Sequence, residues 1–200
     1  MKFFAHSINN LNDLNDLDEE FGVEIDVRDY GGKLVIGHDP LMLNYQDLED
    51  YLKLINGRSI IANIKSERTE KAFLDLLSKY SPYSEYFFLD SSFSMIANFG
   101  KDLNFASRFS EYESLNTSIN LIEGSLVNWI WVDTFSIFPI NIGNFELFNS
   151  LEVKKCLTSP DLTGRSLEIE NYAKIINDLD IRFDAICCKK NNIERWKSLL

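Results

Sequence analysis

Apolar residues along the chain come in short runs rich in Val, Ile and Phe, each followed by a longer stretch whose apolar positions recur every three to four residues. The short runs read as buried strands and the longer stretches as amphipathic helices, so their alternation predicts repeated βα units. Strands are expected near residues 2–6, 23–28, 59–65, 86–90, 105–108, 129–133, 155–159 and 184–189, with an extra extended segment at 33–37 after the turn Asp29-Tyr30-Gly31-Gly32. Glycines in tandem supply the positive φ angles that such a turn often requires. Helices are expected over 10–21, 45–55, 68–79, 94–99, 114–123, 143–149, 166–179 and 193–199. In the second of these, Leu48, Tyr51, Leu52 and Ile55 share one face, and Asn56-Gly57 stops the helix. Eight strands each followed by a helix, with no linker and no change of composition, predict an α/β fold. The expected fold is a compact (β/α)8 TIM barrel forming a single domain over residues 1–200. No G-x-G-x-x-G or Walker motif follows the first strand, which weakens the nucleotide-binding alternative, an open doubly wound sheet.

Charge narrows the function. The 200 residues carry 31 acidic against 20 basic side chains, a net charge of -11 with no block of Lys or Arg, which argues against a general nucleic-acid binder. Hydrophobic residues make up 45% of the chain and aromatics 13%, enough to build a packed core. No stretch reaches the roughly 18 apolar residues of a membrane span, and the opening Met1-Lys2-Phe3-Phe4-Ala5-His6-Ser7 lacks the signal-peptide pattern, so a cytoplasmic location is expected. Cys156, Cys187 and Cys188 all lie inside apolar runs and are expected as reduced, buried thiols; 187 and 188, as neighbours on a strand, point to opposite faces.

In a barrel of this kind chemistry sits at the carboxyl ends of the strands. Those ends are polar here: His6, Glu24, Asp26, His38, Asn63, Lys65, Asp90, Arg108, Asp133 and Lys189. His6 and His38 are the only histidines, and each follows an apolar strand-like segment. Glu24 and Asp26, at i and i+2, leave one face of a strand toward the barrel mouth. Two inward carboxylates must be paired, protonated or metal-bound. A hard cation, Mg²⁺ or Ca²⁺, satisfies them, and so does an ion pair with Lys65 or Arg108. Asn63 and Lys65 repeat the i, i+2 spacing; Lys65 and Arg108 suit a phosphate, or Lys65 simply neutralises Glu24 or Asp26. Asp90 is a further ligand or a helix cap. Trp131 and Asp133 share a face as a candidate aromatic wall and polar contact for substrate, a core tryptophan being the plainer reading of Trp131.

His6, Glu24-Ile25-Asp26-Val27, Gly37-His38-Asp39 and Asn63-Ile64-Lys65, in that order, resemble the glycerophosphodiester phosphodiesterase family of the phospholipase C-like phosphodiesterase barrels. These motifs cover about the first third of the chain; the rest matches mainly in its barrel periodicity. The resemblance implies His6 and His38 as general acid and base, Glu24 and Asp26 as metal ligands with Asn63 beside them, and Lys65 on the phosphate side. It also implies a small-molecule phosphodiester as substrate and a role in lipid metabolism. The chain departs from the pattern at Ser7-Ile8, where an arginine and glycine are usual, and at Asn63, where a glutamate is usual. Later stretches, among them Arg108-Phe109-Ser110 and Trp131-Val132-Asp133, resemble a divergent bacterial subgroup associated with surface-polysaccharide gene clusters. The leading expectation is therefore a metal-dependent hydrolase of a glycerol- or sugar-linked phosphodiester. Its rivals are a catalytically impaired barrel that binds a phosphorylated sugar or lipid intermediate, and a metal-free phosphodiester lyase.

Overall fold

The computed structural model describes residues 1–200. Ten strands form one sheet: β1 (Lys2–Ala5), β2 (Gly22–Tyr30), β3 (Lys33–Ile36), β4 (Gln46–Asp47), β5 (Ile60–Ile64), β6 (Tyr86–Leu89), β7 (Ala106–Phe109), β8 (Trp129–Val132), β9 (Lys154–Thr158) and β10 (Ala185–Cys188). β1 pairs in parallel with both β2 and β10; parallel pairing continues from β2 through β5 to β6, and from β10 through β9 and β8 to β7. A single parallel bridge, Phe88 to Phe105, links the two arms. β3 and β4 hang off β2 as antiparallel additions. The β2–β3 hairpin turns on Gly31 and Gly32, whose φ angles of 60° and 81° lie in the region L side chains avoid.

Eight helices connect the strands: α1 (Leu11–Asn15), α2 (Leu48–Leu52), α3 (Glu70–Tyr80), α4 (Phe93–Phe99), α5 (Leu115–Glu123), α6 (Phe145–Ser150), α7 (Ile169–Asp178) and α8 (Ile193–Leu199). None is long and apolar enough to cross a membrane. Strand alternation divides the apolar residues into two layers. Val23, Ile25 and Val27 face the helices in the larger cluster, while Phe4, Ile61, Phe87, Trp129, Trp131 and Cys187 fill the interior. Cys188 joins the outer layer and Cys187 the inner one, and all three thiols are free and buried.

Two expected helices are shorter than the sequence periodicity suggests. The helix expected over 10–21 stops at Asn15 because the buried Arg58 guanidinium takes the following carbonyls, donating to Leu17 O at 2.8 Å, Phe21 O at 3.2 Å and Asp18 O. The helix expected over 45–55 begins at Leu48: Gln46 and Asp47 pair with β3 as β4, and the Asp47 carboxylate accepts from Glu49 N at 2.9 Å and Asp50 N at 3.4 Å. The apolar face of Leu48, Tyr51, Leu52 and Ile55 is fully buried as expected.

Candidate active site

The carboxyl ends of β1, β2 and β5 bring together an acidic nest. Glu24 and Asp26 point inward and are almost wholly buried, at 1% and 2% exposure. Glu24 Oε2 accepts from the Ser7 amide at 2.7 Å and lies 3.7 Å from His6 Nε2, and Glu24 Oε1 accepts from Asn63 Nδ2 at 2.9 Å. Ser7, just beyond β1, holds a left-handed φ of 57°, an uncommon conformation for a residue with a side chain. Asp26 is level with Asn63 in the β2–β5 register. Its Oδ2 accepts from Asn9 Nδ2 at 2.7 Å, Asn9 Oδ1 accepts from the Asp26 amide at 3.0 Å, and Lys65 Nζ stands 3.4 Å from Oδ1. Burial pushes the Glu24 carboxyl above its usual range; His6 acts to lower it, the Asp26 charge to raise it, and the Asn63 and Ser7 hydrogen bonds to lower it.

Across the mouth, Arg108 on β7 is clamped between Asp90, just past β6, and Asp133, just past β8, with Glu113 Oε1 3.6 Å from its Nε. Burial works against the guanidinium charge, but Asp90 and Asp133 hold its pKa above the usual value. Asp133 also accepts from Trp131 Nε1 at 3.2 Å, the Thr134 amide at 2.9 Å and the Thr158 hydroxyl at 3.3 Å. Trp131 is thereby a buried interior residue. Asp90 also reaches Lys65, at 3.7 Å, so Lys65 links the two halves. The helix-capping alternative for Asp90 does not apply, because Ser92 caps α4. Arg108, expected as a two-pronged phosphate contact, has its prongs on Asp90 and Asp133, and the ion pair to Glu24 or Asp26 is made by Lys65 alone.

The two histidines do not sit alike. Gly37 N donates to Asp26 O at 2.9 Å, which brings the end of β3 over the nest, but the His38 ring turns outward, 68% exposed, onto Asp39 Oδ1 at 3.0 Å. Asn9 is the site residue that the sequence does not announce: it lies between β1 and α1, outside any strand-end motif, and only the fold carries its amide to Asp26.

No trio of His, Cys, Asp and Glu side chains stands at metal-binding spacing. The oxygen set here is two carboxylates and an amide, and the buried Asn63 Oδ1 has no hydrogen-bond partner. Carboxylate and amide oxygens suit a hard cation, and Mg²⁺ is commonly held by only one or two carboxylates, with water and substrate phosphate completing the shell. Glu24, Asp26 and Asn63 thus fit such an ion. A cavity of about 810 Å³ opens at the opposite end of the strands near Lys2, Ser59, Glu85 and Lys154, away from this chemistry.

A mostly parallel sheet flanked by helices, with a polar rim at the strands' carboxyl ends, defines the class as a single-sheet α/β fold. No protein-family model matches the sequence, and no curated protein does. Among solved structures, the chain is similar to a glycerophosphodiester phosphodiesterase from Thermotoga maritima, with a TM-score of 0.72 and 15% identity over 99% of this chain and 97% of that one. It is also similar to a "putative glycerophosphoryl diester phosphodiesterase" from Agrobacterium tumefaciens, with a TM-score of 0.68 and 10% identity over the same shares. What is common to the three at these identities is the fold.

Proposed function

We propose that the chain hydrolyses a glycerol- or sugar-linked phosphodiester by histidine acid–base catalysis assisted by a divalent cation, Mg²⁺ or Ca²⁺. The observation that carries this reading is the buried Glu24–Asp26 pair with His6 against one carboxylate and Lys65 against the other. Charge supports the cation: around the mouth, the carboxylates of Glu24, Asp26, Asp90 and Asp133 outnumber the cations Lys65 and Arg108. A phosphodiester anion would be repelled by that balance. A cation held by Glu24, Asp26 and Asn63 would neutralise it and stabilise negative charge on the phosphoryl oxygens.

The chain's own residues divide the remaining work. His6, positioned by Glu24, and His38, on the rim above Asp26, serve as the acid–base pair: one takes the proton from a hydroxyl neighbouring the phosphate, and the other protonates the departing alcohol oxygen. Water then opens the resulting cyclic phosphate with the two roles exchanged. Lys65 faces the phosphate as a point charge, and Arg108 fixes Asp90 and Asp133 as the far wall. Glycerophosphodiesters assayed with and without EDTA test this. His6→Ala is expected to lose about 10²- to 10⁴-fold in turnover with melting temperature nearly unchanged, and His38→Ala to do the same; Glu24→Gln, which keeps an acceptor for Ser7 and Asn63, is expected to lose turnover likewise. Wild-type rates in His6→Ala sink the assignment.

The outward His38 ring favours a second reading, a barrel that binds a phosphorylated sugar or lipid without cleaving it. Calorimetry showing tight binding of glycerol phosphate, with no product from the diesters, would select it.

A further inference from the structure

We infer that the gap between β6 and β7 is a binding slot for one alcohol substituent of the phosphodiester, an uncharged group with an apolar body and a hydroxyl at its far end. This rests on the phosphodiesterase reading above and adds the substrate class. The ring of strands is weakest at this gap: every other neighbouring pair shares at least two registered residues, whereas β6 and β7 are linked only by the Phe88–Phe105 bridge and the 2.7 Å hydrogen bond from Phe88 N to Asn104 O. Beyond that bridge the strands are unpaired, and a cavity of about 470 Å³ spans the opening from Asp90 and Arg108 at the mouth to α4 and α5. It therefore joins the candidate active site directly. Its volume falls in the range of sites for ligands considerably larger than glycerol.

The lining describes the occupant. Ser107, between the inward-facing Ala106 and Arg108 on β7, points outward into the cavity, is 4% exposed, and its hydroxyl has no hydrogen-bond partner. A buried hydroxyl left unpaired costs free energy that a ligand hydroxyl would recover. Around it Ile96, Ala106 and Leu121 are apolar. Arg108, the lining's one basic side chain, is already held by Asp90, Asp133 and Glu113, and Asp90 and Glu113 themselves line the cavity. An anionic substituent is repelled there, and a cationic one would leave its charge unmatched in the apolar depth. Phe93 and Tyr112, both exposed, offer aromatic faces at the rim.

Four diesters of glycerol 3-phosphate that differ only in the second alcohol (methanol, glycerol, hexanol, hexane-1,6-diol) test the slot, with kcat/KM measured for wild type, Ser107→Ala and Thr117→Trp. Thr117 is an exposed position of α5 on the cavity wall, where a tryptophan narrows the slot without disturbing the core. The hydroxyhexyl ester is expected to exceed the methyl ester by about tenfold or more, and Thr117→Trp to collapse that ratio. Ser107→Ala should erase a preference of about fivefold for hydroxyhexyl over hexyl. Equal rates across the four alcohols, or a ratio that survives Thr117→Trp, overturn the slot and leave phosphodiester cleavage standing. If none of the diesters is cleaved, the cleavage reading fails and the slot is judged by calorimetry with uncleavable phosphonates. Tighter binding of the hydroxyhexyl phosphonate than of the methyl one, lost in Thr117→Trp, upholds the slot; equal or absent binding overturns it.

Discussion

The two sides of the barrel mouth solve the same problem by different means. On the β7–β8 side, Asp90 and Asp133 share one guanidinium, an ion pair built into the protein. On the β1–β2 side, Glu24 and Asp26 are held mainly by neutral donors: the Ser7 amide, Asn63 and Asn9, with Lys65 at the outer edge. Hydrogen bonds from neutral groups fix a carboxylate in place without consuming its charge, so this side relies on dipoles where the other relies on a guanidinium. The first wall carries its own guanidinium; under the function proposed above, the second is the one that would take up a cation.

Mutations that remove the holding group should separate the walls. Arg108→Ala strands two carboxylates in a partly buried setting, and a loss of about 3 kcal/mol is expected in urea unfolding. A loss no larger than that of a surface ion pair would break the distinction. Asn9→Ala, which strips Asp26 of one neutral donor, is expected to cost about 1 to 2 kcal/mol and to weaken any bound cation, because Asp26 loses its fixed orientation. If Asn9→Ala proves as damaging as Arg108→Ala, the nest is not the softer wall.

Glu24 sharpens the contrast through pH. Its carboxyl titrates above the ordinary value near 4.5, chiefly from burial. Between that value and its raised value in the fold, the native protein holds a proton that the unfolded chain has released. Stability therefore falls as pH rises through this window. Glu24→Gln is expected to flatten that fall in pH-dependent denaturation, while Asp90→Asn leaves it in place; an unchanged slope in Glu24→Gln contradicts the assignment. The smallest effect is expected at Ser7, whose left-handed backbone aims its amide at Glu24. Ser7→Gly relieves that conformation and should stabilise the protein by less than about 1 kcal/mol, read as a small rise in melting temperature.

Local pattern reveals one wall better than the other. The i, i+2 spacing of Glu24 with Asp26 is a strand property, so strand alternation puts these two and Asn63 toward the interior, with Lys65 one residue past the end of β5. The Gly31-Gly32 hairpin is equally local. The Arg108 clamp is not: its two partners come from two other strand ends, and an isolated arginine at a strand end looks the same whether it awaits a phosphate or is already satisfied. Nor do local rules foresee that Arg58, more than forty residues downstream, would take the carbonyls that a longer α1 needs. His38 shows the same limit at the rim, where a motif fixes the residue's place in the chain but not the direction of its ring.

Titration calorimetry of Mg²⁺ and Ca²⁺ into the wild-type protein, Glu24→Gln, Asn63→Asp and Asp90→Asn tests the difference between the walls most directly. One saturable site is expected in the wild type, lost in Glu24→Gln, strengthened in Asn63→Asp and unaltered in Asp90→Asn. No saturable heat in the wild type, or binding that survives Glu24→Gln and disappears in Asp90→Asn, would contradict it.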